Sequence, residues 1–525
     1  MTQIVGVAPA FLQSPDRSVS EMFVPGRQMA VPPRTPVLVG AGQWSNRVDR
    51  GEPPVEPADL MAEAVRRAAI DGGAGPGLLP GADAVRVVAT FSRRYRNAAR
   101  LVAERIGARP GDEAVSPVGG TEPQALVSQA CLDIAAGDAD TVVICGGEAW
   151  RTRSASRPAE LDWTTQDETV PEARLTAPEV DLNHPAEVAR GLFLPTQTYP
   201  LFEQALRHRA GRSIDEHLVH VSELWAGFAG VAAANPHAWI RDGMTAEQIR
   251  TPSERNRWVC WPYTKVMNAN NAVEQSAALV LCSAERAAAL GVPRDRWVFP
   301  LAGTQAHDTY AVSHRPDLAS SGAIRLASRE LFDLAGRGVD DVAHVDLYSC
   351  FPSAVQISAA EIGLGLDRPL TVTGGLSFAG GPWNNYVTHS VATMAGVLRD
   401  DPGALGLVTA NGGYVTKHAL GLYSTEPPAG GFRWADVQPA VDALPTREVC
   451  ETVDDAVGGT ATVESWVVAH GRDGAPERVL AACLLDDGRR AWASSDDAAT
   501  VAEMRSGDEQ IGRAVKVDPA GALLL

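Results

Sequence analysis

Several residue patterns are missing from this 525-residue sequence, and each absence excludes a class of protein. No apolar stretch reaches transmembrane length, and residues 1–33 lack an apolar core behind a basic segment, so neither a membrane span nor a secretory signal is predicted. The seven cysteines are scattered without C-x-x-C spacing, which argues against a metal site or a disulfide framework and favours reduced thiols in the cytoplasm. The net charge of −18 argues against a nucleic-acid partner.

Lysine is the scarcest basic residue, with three examples among 46 lysines and arginines: Lys265, Lys417 and Lys516. Asparagine is also uncommon, and six of the eleven asparagines cluster at 268–271, at 384–385 and at 411. Lys265 and Lys417 lie beside two of these clusters. We interpret the retained side chains as candidates for specific contacts, against the simpler interpretation that asparagine gathers in loops by chance.

Apolar strands alternate with amphipathic helices along most of the chain, which predicts a largely parallel sheet covered on both faces. The alternation occurs twice, so we expect two similar α/β halves. The predicted divisions are a flexible extension at 1–34, a first half at 35–290, a second half at 291–425 and a further domain at 433–525. Residues 150–265 interrupt the first half with clustered Pro, His and Trp and are interpreted as a cap.

The last segment has a different pattern from the rest. Short alternating runs, among them 460–470, 477–485 and 514–517, are joined by Asp-Gly turns. This pattern predicts a small antiparallel β-barrel, of the OB type.

Five loops carry a family resemblance, in the same order as in that family. They contain Ala136-Gly-Asp-Ala-Asp140 with Gly146-Gly-Glu148, Val345-Asp-Leu-Tyr-Ser-Cys-Phe351, Gly374-Gly-Leu-Ser-Phe-Ala-Gly-Gly-Pro382 and Ala410-Asn-Gly-Gly413, preceded by the helix at 97–107. Over about 36–423 the chain resembles the thiolase superfamily. With its extra C-terminal domain it is most similar to the thiolase-like proteins of type 1, often labelled acetyl-CoA acetyltransferases. The resemblance implies a five-layered α/β/α/β/α fold.

Thiolases use a cysteine nucleophile, an activating histidine and a second cysteine, and this sequence departs from the family pattern at each of these positions. The nucleophile position falls at Gly119 or Gly120, with Thr121 the nearest hydroxyl. The histidine position is Gly381 and the second cysteine position is Ala410. Ordinary thiolase activity is therefore not expected. Because Gly120 precedes a helix, its amides are expected to remain available to an oxyanion.

Tyrosine and asparagine side chains remain as candidate reactive groups in the same loops. By resemblance, Tyr348 replaces the asparagine or histidine of the third loop, and Tyr386 and His389 follow the glycine-rich loop. Thiolase-fold retro-aldolases place tyrosines in similar loops, so a tyrosinate of lowered pKa is one hypothesis. We expect Tyr348, Tyr386 and Asn411 to share a pocket with Gly119 and Gly120.

The resemblance also implies a CoA thioester as substrate or ligand, with no other cofactor and no metal. Lys265 and Lys417 are candidates for pairing with a CoA phosphate or with a buried carboxylate. Three hypotheses remain open: an acyl-CoA enzyme with altered chemistry, including aldol-type cleavage; a non-catalytic acyl-CoA or lipid-binding protein; and a scaffold. The expected assembly is a monomer or a homodimer.

Overall fold

The computed structural model describes residues 31–74, 77–157, 160–451 and 459–525. The predicted extension at 1–34 lies outside the described residues as far as position 30. Pro32–Leu525 form one compact unit. Within the described part of the chain, no helix combines the length and apolarity that a bilayer crossing requires.

The secondary structure alternates in the way that the sequence predicts. The strands are, in chain order, β1 Pro36–Ser45, β2 Ala84–Val87, β3 Asp112–Val115, β4 Thr141–Ala149, β5 Arg174–Leu175, β6 Trp258–Trp261, β7 Tyr263–Thr264, β8 Glu274–Ser283, β9 Phe299–His307, β10 Val342–Asp346, β11 Leu405–Gly412, β12 Lys417–Ser424, β13 Arg433–Asp436, β14 Val449–Cys450, β15 Thr460–His470, β16 Pro476–Leu485, β17 Arg490–Ser495, β18 Ala514–Val517 and β19 Leu523–Leu524. The α-helices are α1 Pro57–Asp71, α2 Ala98–Ile106, α3 Glu122–Ala136, α4 Trp150–Ala155, α5 Pro185–Ala189, α6 Pro195–Arg209, α7 Ile214–Ala234, α8 Ala246–Arg250, α9 Ala284–Ala289, α10 Gly322–Ala335, α11 Pro352–Ile362, α12 Gly375–Phe378, α13 Tyr386–Asp400, α14 Gln438–Val441 and α15 Ala498–Met504.

Two sheets repeat one topology, which explains the repeated pattern in the sequence. The first sheet has the order β1-β8-β4-β2-β3-β5 and the second β10-β11-β12-β9-β13. In the first, β2 and β4 are parallel and β4, β8 and β1 follow antiparallel. In the second, β10 and β11 are parallel and β11, β12 and β9 follow antiparallel. Strands β4 and β8 are buried along their whole length, as expected of central strands.

Helices α3 and α13 form the central layer, since each contacts strands of both sheets. Helix α3 begins with a proline in its first turn and ends at Gly137, which has a left-handed backbone. Helices α1 and α2 contact only strands of the first sheet among the sheet strands, and α10 those of the second. This confirms the predicted α/β/α/β/α architecture.

The cap contains the long helices α6 and α7, and it reaches two different sheets. Strand β5 pairs in parallel with β3 at the edge of the first sheet. Strand β6 pairs with β15 in the last sheet. The cap therefore joins the first half to the C-terminal domain.

The last sheet closes on itself and includes a strand from outside the predicted domain. Its order is β14-β17-β16-β15-β18-β19, and a bridge between Ser494 and Ala522 brings β19 back to β17. Trp261 and Ile214 of the cap pack in its core. At the other boundary, β13 pairs with β9 of the second sheet. The segment predicted to begin at 433 thus starts with a strand of the second sheet.

Candidate functional site

The candidate site lies where the Gly119-Gly120 loop, the loop after β10 and the end of β11 meet. A Cβ atom placed on Gly120 would lie less than 3 Å from the Tyr348 hydroxyl and from the Asn411 carbonyl oxygen. The Tyr348 ring therefore occupies the space that a nucleophile side chain at position 120 would need. Tyr348 and Asn411 are 7% and 6% exposed, so the space is closed to solvent from this side.

Lys417 fills the corresponding space at Gly119. Its ammonium group lies 2.6 Å from the Cβ position of Gly119, donates to the Val118 carbonyl at 2.7 Å and lies 3.4 Å from Glu122 Oε1. The Thr121 hydroxyl donates to the same carboxyl oxygen at 3.2 Å. Burial raises the pKa of Glu122, and the ammonium group of Lys417 opposes that shift. Lys417 thus contacts a buried carboxylate, one of its two predicted kinds of partner.

The amides of the same loop are also engaged. Gly119 N–H donates to Asn384 Oδ1 at 3.0 Å, and Asn384 Nδ2 donates to the Ala89 carbonyl at 2.9 Å. Together with the Tyr348 hydroxyl over Gly120, these contacts occupy the place where we expected an oxyanion to bind.

Tyr386 is beside Tyr348, with ring centroids 5.6 Å apart and planes at 86°. The Tyr386 hydroxyl donates to Asp346 Oδ1 at 3.0 Å and lies 2.5 Å from Thr373 Oγ1. The Asp346 carboxylate also accepts from Thr371, Thr373 and Ser390. This buried network fixes the Tyr386 hydroxyl on the side of Asp346.

Burial changes the protonation of every candidate acid or base in these loops. It raises the pKa of Tyr348, and it raises that of Tyr386 with help from the Asp346 carboxylate. Burial also raises the pKa of the Cys350 thiol to about 12. The expected tyrosinate of lowered pKa is therefore wrong, because removing a phenolate from water disfavours the charged form. At neutral pH the site offers neutral hydroxyl, thiol and amide groups.

Asn411 is held by a residue that the sequence did not indicate. Its Nδ2 donates to the Tyr199 hydroxyl at 2.9 Å and lies 3.8 Å from Cys350 Sγ. Its Oδ1 has no hydrogen-bond partner among the described residues. Tyr199 lies on α6 in the cap, where no local motif marks it. Asn384, also missed, belongs to an asparagine cluster that could have pointed to it.

His389 lies on α13 one turn beyond Tyr386, against a cavity of about 10 Å³ that both residues line. Its Nδ1 is 2.8 Å from Gln43 Oε1, and burial lowers its pKa to about 3. The imidazole is neutral at physiological pH, with Nδ1–H donating to the amide oxygen. This arrangement places His389 in a hydrogen-bonding role beside the tyrosine network.

A much larger groove of about 1140 Å³ lies between the cap and the glycine-rich loop. Its floor includes Asn270 and Asn271; Gly381 N–H donates to the Asn270 carbonyl at 2.9 Å. A Cβ on Gly381 would lie 3.1 Å from Asn271 Oδ1. Lys265 lines the groove and is exposed. The two candidate lysines are therefore in different environments, one in the groove and one in the filled centre.

Comparisons with known proteins agree with this arrangement. Residues 436–522 match the family model described as the thiolase-like protein type 1 additional C-terminal domain. The chain is similar to a crystal structure from Mycobacterium smegmatis, a monomeric SCP2-thiolase like protein type 1, at 33% identity and a TM-score of 0.79. That match covers 94% of this chain and all of the other.

Two further proteins are more distant. A structure titled Ltp2-ChsH2(DUF35) aldolase is 20% identical with a TM-score of 0.56, covering 75% of this chain and 99% of that one, which supports the fold alone. An acetyl-CoA acetyltransferase of Methanocaldococcus jannaschii is 23% identical over 271 residues. That match spans 50% of this chain and only 60% of the length of the relative.

Proposed function

Because the chain belongs to the thiolase-like proteins of type 1, we propose that it binds an acyl-CoA thioester and forms no acyl-enzyme. The observation that carries this proposal is the contrast between a filled reaction centre and an open groove. Tyr348 and Lys417 occupy the space beside Gly120 and Gly119, whereas about 1140 Å³ lies under the cap.

The groove suits a phosphate-bearing ligand. Exposed Arg151, Arg255 and Lys265 line it, on a protein whose net charge is −18. Asp242 and Glu247 also line it, so the cations outnumber the anions by a small margin. Trp239 and Ile240 add apolar surface, as ligand sites commonly have. A nucleotide phosphate near the cations and a thioester near Gly381 is the binding mode that we propose.

A calorimetric titration with CoA and acetyl-CoA tests this proposal. Lys265→Met should weaken binding about tenfold, the cost of losing one charge-assisted contact. Lys516→Met is the matched control, because it removes another of the three lysines from an exposed position on β18. Absence of binding to the parent protein, or equal affinities of the two variants, would refute the proposed site.

Aldol-type cleavage is the second candidate, favoured by the contact between the Tyr348 and Tyr386 rings. The raised pKa values of both tyrosines and the engaged Tyr386 hydroxyl count against it. Release of an aldehyde from a β-hydroxyacyl-CoA, lost in Tyr348→Phe, is the result that would favour it over simple binding.

We also propose that the protein is a monomer of the cytoplasm. Strand β5 covers the β3 edge of the first sheet, so that edge is not free to pair with a second copy. All seven cysteines are buried, in keeping with reduced thiols. The divisions at 35–290 and 291–425, and the OB type of the last domain, remain part of this proposal.

A further inference from the structure

The loop that follows Asn411 contains a residue in an unfavourable backbone conformation. Val415 has φ = +54°, in the left-handed region that β-branched residues rarely adopt. Such a conformation persists only where the surroundings impose it. Asn411 and Val415 are four residues apart, so what imposes this conformation also shapes the candidate site.

Tyr199 connects Val415 to Asn411 directly. Its hydroxyl accepts from Val415 N–H at 3.1 Å and from Asn411 Nδ2 at 2.9 Å, and it donates to the Gly413 carbonyl at 3.0 Å. One hydroxyl thus fixes both the strained backbone and the side chain of Asn411. A change in the Val415 conformation would remove one of these three bonds and release the other two partners.

Arg315 holds the loop from the other side. Its Nη2 donates to the Tyr414 carbonyl at 3.0 Å and to the Val415 carbonyl. His418 Nε2 also lies 3.1 Å from the Val415 oxygen. The guanidinium group is 2% exposed, so its position depends on the packing of its own backbone.

That backbone is held by the C-terminal domain. Arg490 Nη1, on β17, donates to the carbonyls of Val312, Ser313 and Arg315 at 3.0, 2.7 and 2.8 Å. Glu464, on β15, accepts two further bonds from Arg490 at 2.7 Å each. Arg490 is fully buried, and a buried guanidinium requires this complete set of partners.

We propose that the Glu464–Arg490 pair of the C-terminal domain sets the conformation of the 411–417 loop through Arg315. Arg490 and Arg315 are positioning residues, and Asn411 is the side chain that they position. The additional domain thereby acts on the candidate site across the molecule, in addition to covering the cap. This inference concerns the loop conformation and stands or fails independently of acyl-CoA binding.

Amide hydrogen exchange on the full-length protein tests the inference. In Arg490→Lys, a single ammonium group cannot reach three carbonyls and a carboxylate, so amides at 411–417 should exchange about tenfold faster or more. Glu464→Gln keeps the shape and should give a smaller change in the same direction. Amides of β8 should exchange as in the parent protein.

Two further variants separate positioning from general loosening of the domain. Glu509→Gln is the matched control, since it weakens another ion pair between the C-terminal domain and the cap, Arg207–Glu509, with N–O distances of 2.7 and 2.8 Å. It should leave 411–417 unchanged. Val415→Gly, placed in the Arg490→Lys background, should restore slow exchange, because glycine adopts the left-handed conformation without restraint. The inference is overturned if Arg490→Lys leaves 411–417 unchanged, if Glu509→Gln speeds the loop equally, or if Val415→Gly gives no rescue.

Discussion

At the scale of single residues, Gly120 and Tyr348 depend on each other for space. A side chain at position 120 would meet both the tyrosine hydroxyl and the Asn411 carbonyl oxygen. The tyrosine gives way only by rotating out of a buried position, and the backbone carbonyl has still less freedom. The loss of the nucleophile is therefore accompanied by a change of packing that a single reversion does not undo.

Gly120→Cys should not restore thiolase activity and should lower the free energy of unfolding by about 1–3 kcal/mol, the cost of overpacking a filled core. Urea unfolding and a thiolysis assay with acetoacetyl-CoA measure the two effects. Gly396→Ala is the opposite control: it is exposed on α13 with nothing within 4 Å of the added Cβ, and it should stabilise by about 0.5–1 kcal/mol. A Gly120→Cys protein as stable as the parent would contradict the described packing.

Tyr348→Phe and Tyr386→Phe should differ in their cost. The Tyr386 hydroxyl donates to the buried Asp346 carboxylate, so its removal should destabilise by about 1–3 kcal/mol. The Tyr348 hydroxyl packs against Gly120, and its removal should cost less than about 1 kcal/mol. Urea midpoints that rank the two variants in the reverse order would show that the roles of the hydroxyls are exchanged.

The sequence indicated which residues meet at this site but not that they fill it. The order of the loops was enough to bring Gly120, Tyr348, Tyr386 and Asn411 together, because strand ends converge in a repeated α/β fold. The burial that raises the pKa values of the tyrosines depends on Tyr199, Thr373 and other residues distant in sequence. No local pattern contains that information.

At the scale of elements, helix α13 carries a histidine whose ionisation is linked to folding. The pKa of His389 is about 3 in the folded state and 6.5 by reference in the unfolded state. Between these values the unfolded chain binds more protons, so its contribution to stability is complete above pH 6.5 and is lost as the pH falls.

The slope contributed by His389 should approach 1.4 kcal/mol per pH unit in the middle of that window. His389→Gln should flatten the dependence of the free energy of unfolding on pH by about that amount, whatever its effect at neutral pH. Urea unfolding over a series of pH values from about 6.5 downwards gives both slopes. Parallel slopes for the two proteins would mean that the imidazole is protonated in the folded state.

Helices and central strands could be predicted from the sequence, and the edge elements could not. The run at 460–470 and the helix after Glu122 appear as expected, because apolar periodicity reports burial on one face. Strands β5 and β13 were missed. Two to four residues hold no recognisable period, and their pairing depends on which sheet edge the tertiary fold leaves nearby.

At the scale of the whole molecule, the covered edge of the first sheet predicts the assembly. Light scattering after gel filtration should give the mass of one chain, 55.5 kDa, at micromolar concentration. Arg174 of β5 bonds Asp112 of β3 at 2.8 Å, which reinforces the cover. A stable dimer would require a different surface and would contradict the role given to β5.

The C-terminal segment should not fold by itself, contrary to what its alternating strands suggested. A fragment of residues 433–525 lacks β6, which pairs with β15, and Trp261, which packs 5.9 Å from Trp466 between ring centroids. Its amide proton spectrum should show the narrow dispersion of an unfolded chain. A well-dispersed spectrum would establish the domain as autonomous.

The central claim is that this protein holds acyl-CoA without reacting covalently with it. Equilibrium dialysis against acetoacetyl-CoA, followed by mass spectrometry of both the ligand and the intact protein, tests it most directly. The expected result is bound acetoacetyl-CoA recovered unchanged and a protein of unaltered mass. An acetylated protein, or a ligand that distributes equally across the membrane, would contradict the claim.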